Sequence, residues 1–365
     1  MNQSIEPQNK KLQFEIMAET GTLSYESTRK YFSILGLAIF GFSISSMVAQ
    51  LGFAFIIGRI ARTFAPWLLS EEIPYALLNY ALSFIPLYCV GLPVFLSIVK
   101  RLPKIKPLKQ KMGGARTLGG LAICVCLMIS GSLVSNAVMT FFENLKGETI
   151  ANPIESATTS APWWINLIFV AILAPILEEI LYRKLICTRL LPLGEGWAVV
   201  ISAAIFSLAH GNFYQCFYAF TLGLFFGFIY VKTGRLFYSM LYHAIINFMG
   251  GVISPLLLQI IEGISPGLYD KMMTGSIDWL AELTVEQQTR FALAYMVMML
   301  YSLFMYGFAI AGIVLLIVAT VKKKVRLEGG LIPPVKEGRF SAFFLNVGVA
   351  LSIAYFAYTF IVSLI

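Results

Sequence analysis

Charge is scarce in this sequence. Only 13% of its 365 residues are Asp, Glu, Lys or Arg, where a soluble domain carries about 25%. With 58% of residues apolar and a mean hydropathy of +0.79, there is too little polar surface to cover a water-soluble globule. The same numbers exclude a disordered chain. Cysteine is sparse and scattered: Cys89, Cys124, Cys126, Cys187 and Cys216 all lie in apolar stretches, and none forms a C-x-x-C pair. A disulfide-stapled secreted domain and a cysteine-held zinc site are therefore excluded, and the five read as small buried hydrophobes. Histidine occurs only twice. The net charge of +8 sits in separate blocks between apolar runs, with no aromatic-interleaved basic face, so no nucleic-acid partner is expected.

What is present is a series of long apolar runs, at 32–58, 75–99, 118–142, 163–191, 196–210, 213–231, 236–261, 291–320 and 341–364. Several exceed the ~20 residues that cross a bilayer. The fold class is all-α, a polytopic transmembrane helical bundle of nine spans, or eight if 196–210 does not cross. Alternating the spans from a cytoplasmic N-terminus puts 21 Lys and Arg on the inner side and 5 on the outer, as the positive-inside rule requires. The expected product is a multi-pass integral membrane protein, of the plasma membrane, with the lipid bilayer as its first partner. Residues 1–31 are polar, lack the apolar core of a cleaved signal, and read as a cytoplasmic tail. Next come an N-terminal three-helix region (32–142), a core (163–262), an external loop (263–290) read as a connector, and C-terminal helices (291–365). Gly223 and Gly227 form a small-xxx-small face for close helix packing.

Few ionisable side chains remain at membrane depth. The fourth run holds Glu178, Glu179 and Arg183, the fifth ends at His210, and the seventh carries His243. Each costs about 2.5–3.5 kcal/mol at mid-bilayer on insertion scales, so each needs a partner. Glu179 and Arg183 have the i,i+4 order that favours an ion pair, a supporting role. Glu178 lies ~100° around the helix and points elsewhere, with the histidines as its best partners. A carboxylate in an apolar, partly wet pocket is suited to act as a general base. His243 and Asn247 are also spaced i,i+4, and an imidazole with an amide can donate hydrogen bonds to a developing oxyanion. Phe206 shares that spacing with His210 and reads as packing. The fifth run is short, so His210, Gly211 and Asn212 are expected to form a buried turn, tolerated only against protein or a wet cavity. Glu178, His210 and His243 are also a ligand set that could hold zinc, although H-E-x-x-H is absent.

Glu178, Glu179 and Arg183 make an EExxxR motif, Phe206 and His210 an FxxxH motif, and His243 and Asn247 an HxxxN motif. Their order and spacing, over roughly 163–262, resemble the CAAX protease and bacteriocin-processing (CPBP) family, which includes the type II CAAX prenyl endopeptidases. The resemblance implies an all-helical intramembrane protease, a hydrolase in which Glu178 and His210 activate water and His243 and Asn247 stabilise the oxyanion. Family members are often called metalloproteases, yet a metal-free glutamate mechanism has also been argued. The expected partner is a membrane-associated peptide or protein substrate. The alternatives are a non-catalytic membrane scaffold, such as an immunity or regulatory protein, and an ion-coupled transporter that uses Glu178 as a relay.

Overall fold

The structure, a computed structural model, describes residues 21–274 and 276–365. Among the described residues nine apolar helices organise it: α1 Tyr25–Phe64, α2 Glu72–Val99, α3 Gly114–Lys146, α4 Trp163–Leu193, α5 Glu195–Leu208, α6 Phe213–Thr233, α7 Leu236–Glu262, α8 Val285–Val321 and α9 Val347–Val362. Seven are long and apolar enough to cross a membrane, and α5 and α9 are shorter apolar helices. Each falls on one of the nine runs, and the chain is a polytopic helical bundle, a multi-pass integral membrane protein. Among the described residues the lone β pairing is a bridge between Gly194 and Gly329. Large apolar side chains such as Leu293, Leu300, Leu303, Ile310 and Ile317 of α8 stay exposed, a surface that suits acyl chains rather than water.

The helices differ from the apolar runs chiefly at their ends, and capping explains why. Helix α1 opens at Tyr25, inside the segment read as tail, because the Ser24 hydroxyl accepts from the Ser27 N–H at 3.2 Å. Residues 1–20 of that tail lie outside the described residues. Helix α8 opens at Val285, before its run at 291, behind a capping box of Thr284 and Gln287. The ninth run breaks near Leu345, and Asn346 caps α9 by accepting from Val349 N–H at 3.0 Å.

Glycines set the closest helix contacts. A Cβ on Gly348 of α9 would lie 1.9 Å from the Ser33 carbonyl oxygen of α1, and Ser352 Oγ donates to the Gly36 carbonyl at 2.8 Å. Gly223 and Gly227 let α6 meet α5, with added Cβ atoms 3.0 Å from Ala203 Cα and 3.4 Å from Val199 Cα. This is the packing expected of that face.

The base-rich loops gather at one end. Ile105 N–H donates to Thr188 O (2.9 Å), Gln110 N–H to Thr233 O (2.7 Å), Ile332 N–H to Pro192 O (3.0 Å) and Leu23 N–H to Pro333 O (2.9 Å). Lys232 pairs with Glu195 at 2.5 Å there. At the other end, the described residues of the 263–290 segment pack back on the flanking helices. Leu268, Trp279 and Leu283 bury against Ile261 and Ala294, and the Glu262 carboxylate accepts from Gly267 and Tyr269 N–H, both at 2.8 Å.

Candidate active site

Helix α4 supplies two adjacent carboxylates that face different ways, as a ~100° step demands. Glu179 is fully buried, its Oε2 accepting from Arg183 Nε at 3.2 Å. Arg183, equally buried, also donates from Nη1 to Ser202 Oγ of α5 at 3.2 Å. Among the described residues its Nη2 has no hydrogen-bond partner. Instead the guanidinium lies 5.3 Å from the Phe206 ring centroid and 6.0 Å from that of Phe226, within cation–π range. The expected i,i+4 pair is thus present.

Glu179 does something more. Its Oε1 lies 3.2 Å from His243 Nδ1 of α7. A carboxylate held by arginine only accepts, so Nδ1 carries the proton and Glu179 sets the ring's orientation. Phe226 stacks on that ring at 5.1 Å and 25°, and Phe206 meets it edge-on at 5.5 Å and 86°. The other ring nitrogen, Nε2, faces Glu178 Oε2 at 3.6 Å, too far for a direct hydrogen bond. The Glu178 side chain retains 25% exposure, against none for Glu179. It is the carboxylate that opens onto the cavity.

His210 reaches the same place from the C-terminal end of α5. The last turn tightens, with His210 N–H bonding Ser207 O, which leaves the Phe206 carbonyl without its helical donor. The His210 ring fills that gap, Nδ1 lying 2.7 Å from Phe206 O. A carbonyl only accepts, so Nδ1 carries hydrogen and the neutral ring keeps its Nε2 lone pair. Gly211 then reverses the chain at φ +67°, a left-handed geometry that favours glycine. Asn212 caps α6 through the Gln215 N–H (3.0 Å) and donates to His210 O (2.9 Å). The expected turn exists, and the Asn212 side chain ties it to both flanking helices. Phe206 packs, as expected, but its carbonyl also orients His210.

Asn247 lies one turn beyond His243 on α7, and its Nδ2 donates to the Val170 carbonyl of α4 at 2.9 Å. Glu178, His210, His243 and Asn247 all line one cavity of about 770 Å³. Its remaining wall is largely apolar and aromatic, including Tyr80, Phe84, Phe169 and Tyr218. Sequence reasoning missed the Glu179–His243 bond, Ser202, Phe226 and the Val170 carbonyl. Only the last had a readable signal, the proline at position 175 inside an apolar helix.

The ligand set Glu178, His210 and His243 fits a metal poorly. Among the described residues no three His, Cys, Asp or Glu side chains form a group that could hold a metal ion. Both nitrogens of His243 face carboxylates.

Residues 160–249 match the family model Rce1-like, described as Type II CAAX prenyl endopeptidase Rce1-like. The match is consistent with the CPBP resemblance and contains all three motifs. It spans about a quarter of the chain, and over that segment the chain is similar to the type II CAAX prenyl endopeptidases. No curated protein and no solved structure shows a significant match.

Proposed function

We propose that this protein is an intramembrane endopeptidase that hydrolyses a peptide bond of a membrane-associated protein or peptide. The observation that carries the reading is the opening of Glu178, His210, His243 and Asn247 onto one cavity within the bundle. Glu178 takes a proton from a water molecule that the His210 Nε2 lone pair helps to orient, and the water oxygen bonds to the scissile carbonyl carbon. His243, anchored at Nδ1 by Glu179, donates from Nε2 to the resulting oxyanion, for which the ring must hold both protons. The Asn247 Nδ2 hydrogen not given to Val170 is the second donor. Glu178 then delivers its proton to the leaving amine as the C–N bond breaks. Preorganised donors of this kind are each worth about 10²–10³ in rate. The aromatic wall suits a lipid-bearing substrate, and the positive-inside rule orients the base-rich end and the N-terminus to the cytoplasm.

Purified protein in proteoliposomes should cleave a farnesylated CAAX peptide, and failure on every membrane-anchored peptide tried would overturn the reading. Dialysis against a chelator should leave that rate within about twofold, with substoichiometric zinc by elemental analysis. Chelator-sensitive activity restored by added zinc would replace the metal-free route. Protease access to the 100–116 loop from the outside of right-side-out cells would reverse the orientation.

A further inference from the structure

Three long helices lose register in the same manner. In α2, α4 and α7, π-helical stretches at Pro86–Gly91, Leu167–Leu173 and Met249–Ile253 are followed, two residues on, by Pro93, Pro175 and Pro255. At each, the residue before the proline gives its N–H to the carbonyl five back: Leu92 to Leu87, Ala174 to Phe169, Ser254 to Met249. The carbonyls of Tyr88, Val170 and Gly250 are then left over. Their α-register donor is spent one residue earlier, and their π-register donor would be a proline, which has no N–H.

All three residues line the catalytic cavity. A carbonyl without a donor is costly at membrane depth and is tolerated where it lines a wet cavity. Val170 shows what such a group takes, because Asn247 donates to it. Donors beside Gly250 go elsewhere: Tyr301 Oη and Ser254 Oγ donate to Met249 O at 2.9 and 3.1 Å. Among the described residues no side-chain hydrogen bond falls on the carbonyl of Gly250 or Tyr88. Gly250 follows His243 and Asn247 at i+7 and i+3 on the cavity face of α7. Its neighbour Gly251 packs on Val170, where an added Cβ would come within 2.7 Å of Val170 Cγ1. The spare acceptor therefore sits one turn from the amide assigned to the oxyanion.

We propose that the Gly250 carbonyl, with that of Tyr88 on α2, accepts main-chain N–H groups of the substrate. The site would then hold an extended peptide by its backbone, as an exposed sheet edge does, and tolerate varied side chains next to the cleaved bond. This rests on the peptidase reading and specifies its substrate as a peptide with free amide N–H groups flanking the scissile bond.

Pro255→Ala tests it, since residue 255 then has an N–H that can close on the Gly250 carbonyl while every site side chain stays in place. On a farnesylated CAAX peptide in proteoliposomes, KM should rise about fivefold to tenfold, the worth of one hydrogen bond, with kcat within about twofold. A depsipeptide with an ester oxygen in place of a flanking N–H should lose the same factor on wild type and little more on Pro255→Ala. Pro175→Ala is the contrast: its new N–H competes for Val170 O and releases Asn247, so kcat should fall instead. An unchanged KM for a folded Pro255→Ala, or an ester penalty equal in both proteins, overturns the proposal. Should Pro255→Ala not fold, the ester scan on wild type decides, and the proposal falls if no flanking ester raises KM more than twofold. Wild-type protein that cleaves no peptide brings down the peptidase reading, and this proposal with it.

Discussion

Glu178→Gln should lower kcat on a farnesylated CAAX peptide by about 10²–10⁴-fold, with KM near that of wild type. The amide keeps the size and hydrogen-bonding reach of the carboxylate but cannot take a proton from water. Glu178 is the exposed member of the acidic pair, 3.6 Å from His243 Nε2, so its loss removes the base without emptying a buried site. His210→Ala should act in the same direction, through loss of the acceptor that orients the water. A Glu178→Gln rate within about tenfold of wild type would take Glu178 out of the chemistry. A cellular phenotype that survives both substitutions would favour the scaffold reading over the enzyme.

Arg183→Met should be the most damaging change to stability, at about 3–5 kcal/mol, the cost of stripping one partner from a buried pair. It leaves Glu179, fully buried, with a carboxylate that Arg183 no longer neutralises. It also deletes the bond to Ser202 and the cation that lies against Phe206 and Phe226. The double variant Glu179→Leu/Arg183→Met separates two roles. Replacing both charges with apolar groups should restore much of the lost thermal stability in detergent, because buried pairs cost about as much in desolvation as they return. Cleavage should stay impaired, because His243 would lose the carboxylate that holds Nδ1 at 3.2 Å. A double variant as unstable as the single one would assign Arg183 a packing role beyond its charge. Full activity in the double variant would show that the imidazole needs no anchor.

The nine helices were legible because lipid leaves apolar runs intact, and each run maps onto one helix. Helix ends were not, since Ser24, Thr284 and Asn346 cap helices whose terminal turns extend past the apolar run or stop inside it. Within the site, periodicity separated Glu178 from Glu179 and paired Glu179 with Arg183, relations internal to one helix. The contact of Glu179 with His243, 64 residues away, has no periodic trace. Nor does the use of the His210 ring to cap its own helix, which depends on a last turn that tightens. The prolines at 93, 175 and 255 were visible, but that Tyr88, Val170 and Gly250, whose carbonyls they leave over, all line one cavity required the fold.

The glycine seam between α1 and α9 bears on how such a chain is made. Helix α1 is made before α9 and packs closely against it, so Gly36 and the Ser33 carbonyl meet Gly348 only after the seven helices between them have been made. Until then that narrow strip of α1 must rest against lipid or an insertion chaperone. Assembly therefore joins helices made far apart in time, and α9, which also packs on the turn at Gly211 through Thr359, follows the helices that hold the proposed catalytic residues.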